Sequence, residues 1–488
     1  MQQADSSKLM GNFLSLAAAE TLSKVVTLAA FAYLARTAGP VGFGYVEFAG
    51  AVMMCASLIV DQGFSPFGAR EIAKAPERTK ALVAEIVAAR FILAAVSYLA
   101  IVLFALRLDR SAVITRLLLV YGLSLFVAPL LLQWVFQGHE RMHVVAAAQV
   151  IRQIVFATVV FLFVRGPAQL LFVAVAELAG VSSAAIWCVW MYRRRFKGGT
   201  RAKPAITKQL FSEGLTIGLS QMFWVVKMFG GTLILGMIAT AENVGFFAGA
   251  QRILVAAHAF VWLYYFNLLP SFARAWQRAD ASFERLIAQS LHAVAWLGVA
   301  GGLVWVLAAP TVMTRVYGPA FAPGGPTLQW LAGVCVAAFI SGHYRFGLIA
   351  AGRQKAEMLT SALGALLAII LIPIGYARVG PSGAAMGLVA AEGAILLSSW
   401  WCGRQMLKLR GHVRLLIRPV VVISVVSASL WALPLTLGTV RSVLAVLLLA
   451  GFALTLDGVL RDRFRRFAIV SQHWIQQFLL KGLPEATR

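Results

Sequence analysis

Glu20 and Lys24 stand four residues apart, with Thr27 on the same stripe, inside an apolar run from Phe13 to Ala35. That run is long enough to cross a bilayer as a helix, and charges at mid-bilayer depth face water or a partner. Five more bases fall within apolar runs: Arg90, Arg152, Lys227, Arg252 and Arg345. At roughly 2.5–3.5 kcal/mol each on insertion scales, six such bases cost on the order of 15–20 kcal/mol. That rivals the whole stability of a typical protein, so they must be hydrated, paired or both. Ammonium and guanidinium groups form charge-assisted hydrogen bonds to phosphate. Arg152 adds Gln149 and Gln153 at helical spacing, a polar stripe suited to phosphate or sugar hydroxyls. Lys24, Arg152 and Lys227 lie nearest mid-membrane; Arg90, Arg252 and Arg345 lie closer to span ends, with Arg90 and Arg345 placed to snorkel.

As a set, these bases read as the lining of a water-filled cationic cavity. The competing account for each is ion pairing, since Glu20, Glu47, Asp61, Glu85, Glu177 and Glu392 also fall within spans. Helical spacing favours a local Glu20–Lys24 pair, whereas Glu85 and Arg90 are poorly spaced. A carboxylate taken out of water binds a proton more readily. Glu20, Glu177 and Glu392 are therefore the candidates for coupling transport to a proton or sodium ion, with neutralisation of a neighbouring base as the plainer role. His143, His258, His292 and His343 are isolated, without metal spacing, and read as packing residues near span ends. Cys55, Cys188, Cys335 and Cys402 read as small core residues. No metal or cofactor is expected.

Composition dictates the elements that hold these residues. The 488 residues are 60% hydrophobic and only 13% charged, with mean hydropathy +0.81, against about 25% charged for soluble domains. The expected class is an all-α polytopic membrane protein of about fourteen spans: 13–35, 45–65, 81–106, 113–137, 144–164, 169–191, 211–238, 244–270, 288–308, 326–350, 356–375, 381–402, 414–433 and 438–460. Met1 to Asn12 lacks a short basic region, so the first run is expected to stay as an anchor. With the N-terminus inside, 29 of the 43 Lys and Arg fall in inner segments and 8 in outer ones. This bias predicts both termini in the cytoplasm and assigns most of the +24 charge to orientation and anionic lipid contact. No nucleic-acid partner is expected.

A repeat divides the chain. Lys24 to Phe43 matches Lys227 to Phe246, with Thr37-Ala38 meeting Thr240-Ala241 and Val41-Gly42-Phe43 meeting Val244-Gly245-Phe246. Each block is a long span, a short outer turn and a second span. Both copies share one predicted orientation, so the repeat is parallel, and transporters place substrate between such halves. The expected organisation is a six-helix lobe at 1–191, a basic linker at 192–210, a second six-helix lobe at 211–402, two extra helices at 403–460 and a tail at 461–488. Lys24 and Lys227 would face each other across the pseudo-axis.

The block AFAYLARTAGPVGFGYVEFAGAV, then LIVDQGFSPFGAREIAKAPER, carries a span ending in Leu34-Ala35-Arg36, then Gly39-Pro40, Phe43-Gly44-Tyr45, Asp61, Gly63, Arg70-Glu71 and Ala73. It resembles the opening of Wzx-type oligosaccharide flippases of the multidrug/oligosaccharidyl-lipid/polysaccharide exporter superfamily, as does TAENVGFFAGAQRI in the second half. The resemblance implies two six-helix lobes and a non-enzymatic flippase. Its substrate would be undecaprenyl-diphosphate-linked oligosaccharide, moved by alternating access across a bacterial inner membrane for O-antigen, capsule or exopolysaccharide assembly. Membrane lipids, a polysaccharide polymerase and chain-length machinery are the implied partners. The rival readings are a multidrug or cation antiporter of the same superfamily, which needs a net acidic cavity, and a membrane-embedded polymerase or ligase. Short outer loops and missing nucleotide and hydrolase signatures disfavour the latter.

Overall fold

A computed structural model of the chain describes residues 2–108, 111–196, 207–278, 280–409, 415–419, 421–422 and 451. Described side chains begin at Thr21; those of Glu20 and Lys227 lie outside them, as do most of the basic linker, the last two expected spans and the segment 461–488. Among the described residues every regular element is helical. Among the described residues ten helices are long and apolar enough to cross a membrane, and one of these, Thr21–Lys74, holds the second expected span and the first from Thr21 onward.

Helix α1, Gln2–Asp61, is broken at Gly39, which has φ +67° and is followed by Pro40. Glycine reaches that left-handed φ without a Cβ clash, and proline restarts a helix where no N–H is required. Next come α2 (Phe64–Lys74), α3 (Thr79–Arg107), α4 (Ala112–Gly122), α5 (Ser124–Val127), α6 (Gln133–Gly138), α7 (Met142–Phe163) and α8 (Leu171–Arg195). They are followed by α9 (Lys208–Ile238), α10 (Ala241–Gln277), α11 (Ser282–Tyr317), α12 (Gly325–Ala350), α13 (Gln354–Val379) and α14 (Pro381–Met406). The chain forms two compact units. One holds Met1–Ala256, Pro310–Leu331 and Met358–Ala394; the other holds Ala257–Ala309, Ala332–Glu357 and Ile395–Arg488.

In the first unit, α7 packs on α8 and on α1, and α1 packs on α4 and α9. A cluster around Phe64, Phe67, Trp134 and Phe136 fills the space among α2, α3 and α6. Small residues let α9 approach α1 closely, as in other membrane helix pairs. A Cβ on Gly236 would fall inside the Phe48 ring, and one on Gly218 would stand 2.8 Å from the Gln62 carbonyl oxygen. The start of α9 is tethered rather than merely capped. Thr207 Oγ1 accepts from the Leu210 N–H at 3.3 Å, and Glu85 Oε1 accepts from both the Thr207 N–H (2.8 Å) and its hydroxyl (2.6 Å). Buried Glu85 is thus committed to α9, and Arg90 is left to another carboxylate. Thr207→Ala should lower stability by about 1 kcal/mol, read as a lower melting temperature in detergent; Thr207→Ser should retain the wild-type value.

The two repeat blocks meet in this unit. A Cβ on Gly44 would stand 1.8 Å from the Ala241 carbonyl oxygen, and one on Gly245 would stand 2.1 Å from the Pro40 carbonyl oxygen. The contact is reciprocal though not between equivalent positions: Gly245 corresponds to Gly42 in the repeat, and Gly44 lies one residue past the first block. In the second block the turn is made differently. Ala239 is extended, and Thr240 Oγ1 accepts from the Asn243 N–H at 3.4 Å.

Candidate functional site: paired arginines around a buried tyrosine

Five helices of the first unit bring opposite charges together. Helix α1 supplies Phe31 and Glu47, α4 Tyr121, α7 Arg152, α8 Glu177, and α10 Arg252. Arg252 Nε donates to Glu47 Oε1 at 2.6 Å. The guanidinium carbon lies 3.3 Å from the centre of the Phe31 ring, a cation–π contact. Phe31 is held in turn by stacking on Phe156, with centroids 5.6 Å apart. Glu47 is 9% exposed, so burial makes the pairing with Arg252 obligatory.

In the same unit, an Arg152 terminal nitrogen donates to Glu177 Oε1. Helices α7 and α8 come close enough for this because Gly180 lies opposite the Arg152 backbone, where a Cβ would be 2.8 Å from its carbonyl oxygen. This pair is wetter, with side chains 38% and 25% exposed. Gln149 Oε1 and Arg152 Nε are buried atoms without a hydrogen-bond partner among the described residues. The polar stripe read from the sequence therefore keeps one donor and one acceptor in reserve. Tyr121 is buried on α4, which packs on both α1, the helix of Glu47, and α8, the helix of Glu177.

The remaining bases are placed as follows. Arg90 is 4% exposed, bonded to Asp61 and, at 2.5 Å, to Ser65 Oγ. In the second unit, Arg345 binds Glu357 Oε1 through Nε (3.0 Å) and a terminal nitrogen (2.6 Å). Each is paired with a carboxylate of its own unit. Lys24 is exposed on α1, and Glu392 on α14 is fully buried. Sequence reasoning did not assign Glu47, Asp61 and Glu357 as partners, or place Tyr121 on the helix packed against both α1 and α8; an isolated tyrosine in an apolar run was the only available signal. His343 departs from simple packing. It is fully buried, with Nδ1 2.7 Å from Tyr265 Oη and Nε2 2.7 Å from Ser290 Oγ.

Chemically, the cluster balances two guanidinium groups against two carboxylates. A guanidinium has five N–H donors, so each can hold a carboxylate and still offer donors to a second anion. Residues 9–276 match the family model for polysaccharide biosynthesis proteins. The chain belongs to that family. Within it, the chain is 21% identical over 397 residues to a curated Escherichia coli (strain K12) protein named "Putative O-antigen transporter", covering 79% of this chain and 94% of the relative. The fold is that of lipid II flippase MurJ in an inward closed conformation, with TM-score 0.68 at 13% identity over 92% of this chain and 99% of that one. It is also that of an inward-facing MATE family multidrug resistance transporter of the MOP superfamily, with TM-score 0.66 at 13% identity over 80% and 95%. This member of the polysaccharide biosynthesis family thus has a transporter fold.

Proposed function

We propose that this chain flips undecaprenyl-diphosphate-linked oligosaccharide from the cytoplasmic to the outer face of a bacterial inner membrane, by alternating access between lobes at 1–191 and 211–402. The reading is carried by the two arginine–carboxylate pairs around Tyr121 in a member of a polysaccharide biosynthesis family. A diphosphate-sugar head cannot cross hydrocarbon unaided, whereas its isoprenoid tail can stay in lipid. Guanidinium and ammonium groups offset the head's desolvation through charge-assisted bonds. Arg152 and Arg252 are the central contacts, Lys24 and Lys227 approach the head from the two repeats, and Arg90 and Arg345 are outer contacts.

The pairing suggests how transport is driven. A neutral cluster holds an anion weakly while Glu177 occupies Arg152. Glu177 is the first coupling candidate: an event that takes its carboxylate off Arg152 frees that guanidinium for the diphosphate, and re-pairing displaces the substrate. Two states of different affinity follow, as net transport requires. Glu20 and Glu392 are further coupling candidates. The balanced charge does not suit an antiporter of organic cations, which needs a net acidic site.

The test follows glycan movement. Cells lacking the chain should accumulate lipid-linked oligosaccharide on the cytoplasmic face. Arg152→Ala should slow flipping in reconstituted vesicles about 10–100-fold, the worth of one charged hydrogen bond. Lys24→Ala with Lys227→Ala should do likewise, and full flipping by that double variant would remove both lysines from the site. Unchanged lipid-linked oligosaccharide distribution in the deleted cells would overturn the flippase reading itself.

A further inference from the structure

The elbow between α10 and α11, wholly within the second unit, holds three arginines that the cluster above does not use. Arg274 lies in the last turn of α10, Arg278 just beyond it and Arg285 in the first turns of α11. Together with Ser271, Ser282 and Gln289 they line a cavity of about 340 Å³. Among the described residues no carboxylate lines it. Asp280 lies nearby: its Oδ1 accepts from the Ser282 N–H at 2.7 Å, and its charge also acts on Arg278 and Arg285, so it offsets one of the three positive charges. Hydrogen bonds from the Ser282 hydroxyl and N–H hold its carboxyl below the usual range.

An orientation signal needs only positive charge, and such charges lower their energy by splaying apart. Here three of them line one cavity with a single carboxylate nearby, which leaves an excess of positive charge that a further anion would offset. The helix ends that flank the elbow are packed together. Phe272 and Phe283 are buried, and Trp276 packs edge-on against Phe283 with centroids 5.1 Å apart. The arginines therefore sit on a preorganised support, as anion sites require.

A second feature points to what the anion is attached to. Farther along α10, Phe260, Leu263, Tyr264, Asn267 and Leu268 line an apolar cavity of about 360 Å³. Phe260, Leu263 and Asn267 continue at helical spacing into Ser271, Arg274 and Arg278, so groove and arginine pocket lie along one stripe of α10. Phe260 and Leu263 are 68% and 54% exposed. A polar pocket for an anion at one end of a stripe and an uncovered apolar groove at the other match an amphiphile.

We propose that this stripe binds a lipid by its phosphorylated headgroup, with the phosphate held by Arg274, Arg278 and Arg285 and the hydrocarbon chain laid along Leu263 and Phe260. Two sources share this chemistry: the diphosphate carrier of the proposed substrate, which rests on the flippase reading, and an anionic phospholipid of the bilayer, which does not. The purified full chain, loaded with undecaprenyl diphosphate or with phosphatidylglycerol and with phosphatidylcholine as control, is examined by native mass spectrometry. The wild type should retain at least one of the two anionic lipids about tenfold more than the control. The combined variant Arg274→Gln, Arg278→Gln and Arg285→Gln, confirmed as folded by its melting temperature, should lose that preference. If the triple variant does not fold, Arg278→Gln alone, in an exposed turn, should reduce retention about threefold. Preference for undecaprenyl diphosphate identifies a substrate-loading site; preference for phosphatidylglycerol identifies a bilayer anchor. Unchanged retention of both lipids by a folded variant overturns the site. Because retention is read without transport, a chain that binds but does not flip would refute the proposed function and leave this site standing.

Discussion

Glu47→Ala should remove about 3 kcal/mol of stability, because it leaves the Arg252 guanidinium in a largely buried setting without its carboxylate. Breaking a buried pair by deleting one partner costs about 3–5 kcal/mol. The low end applies because the Arg252 side chain is 30% exposed. The readout is the melting temperature and the fraction of monodisperse protein in detergent. Arg252→Ala should be nearly as damaging, since Glu47 is the more buried of the two at 10%. Replacing both with methionine should recover much of the loss, because apolar isosteres often match a buried ion pair in stability. The two effects separate stability from function: the double variant should fold and yet fail to flip. Wild-type stability in the single Glu47→Ala variant would show that the pair does not matter to the fold.

The second large effect concerns the reciprocal glycine contact. Gly44→Val and Gly245→Val each place a side chain where a backbone carbonyl oxygen already lies, with the first carbon 1.8 and 2.1 Å away. Backbone cannot yield as a flexible side chain does, so the two turns must separate. Each variant should insert and accumulate, lose at least about 90% of flipping, a barrier change of about 1.4 kcal/mol or more, and raise thiol labelling of a cysteine introduced at Asn243. Because both substitutions open one shared contact, the double variant should be little worse than either single one. Additive losses would mean that the turns act separately. Normal flipping in either single variant would mean that the contact can open without consequence.

The class of protein and the identity of its unusual charges were legible in the sequence because both are local. Apolar run length marks membrane helices wherever they pack, and Arg152 or Arg252 is conspicuous in any such run. The Gly39-Pro40 break was legible for the same reason, since both residues dictate their own backbone. Partners were not legible. Arg252 and Glu47 are 205 residues apart, and Thr207 and Glu85 are 122 apart. No periodicity within one segment reports a contact across five helices. Arg345 and Glu357 are a middle case. They are only 12 residues apart and flank the turn at Gly352, which has φ +72°. Antiparallel packing of α12 on α13 would have predicted their meeting. The hydrogen-bonded chain from Tyr265 through His343 to Ser290 was hidden because each member alone resembles ordinary packing.

The Glu47–Arg252 pair also sets a constraint while the chain is being made. Ribosomes add roughly 5–20 residues per second. A separation of 205 residues therefore leaves Glu47 in the lipid for roughly 10–40 s before its counter-charge has been polymerised. During that interval the nascent first helices hold an acidic side chain that must be protonated, hydrated at the insertion machinery or sheltered by a holding factor. Assembly of this molecule is thus ordered by the timetable of translation as well as by its final contacts.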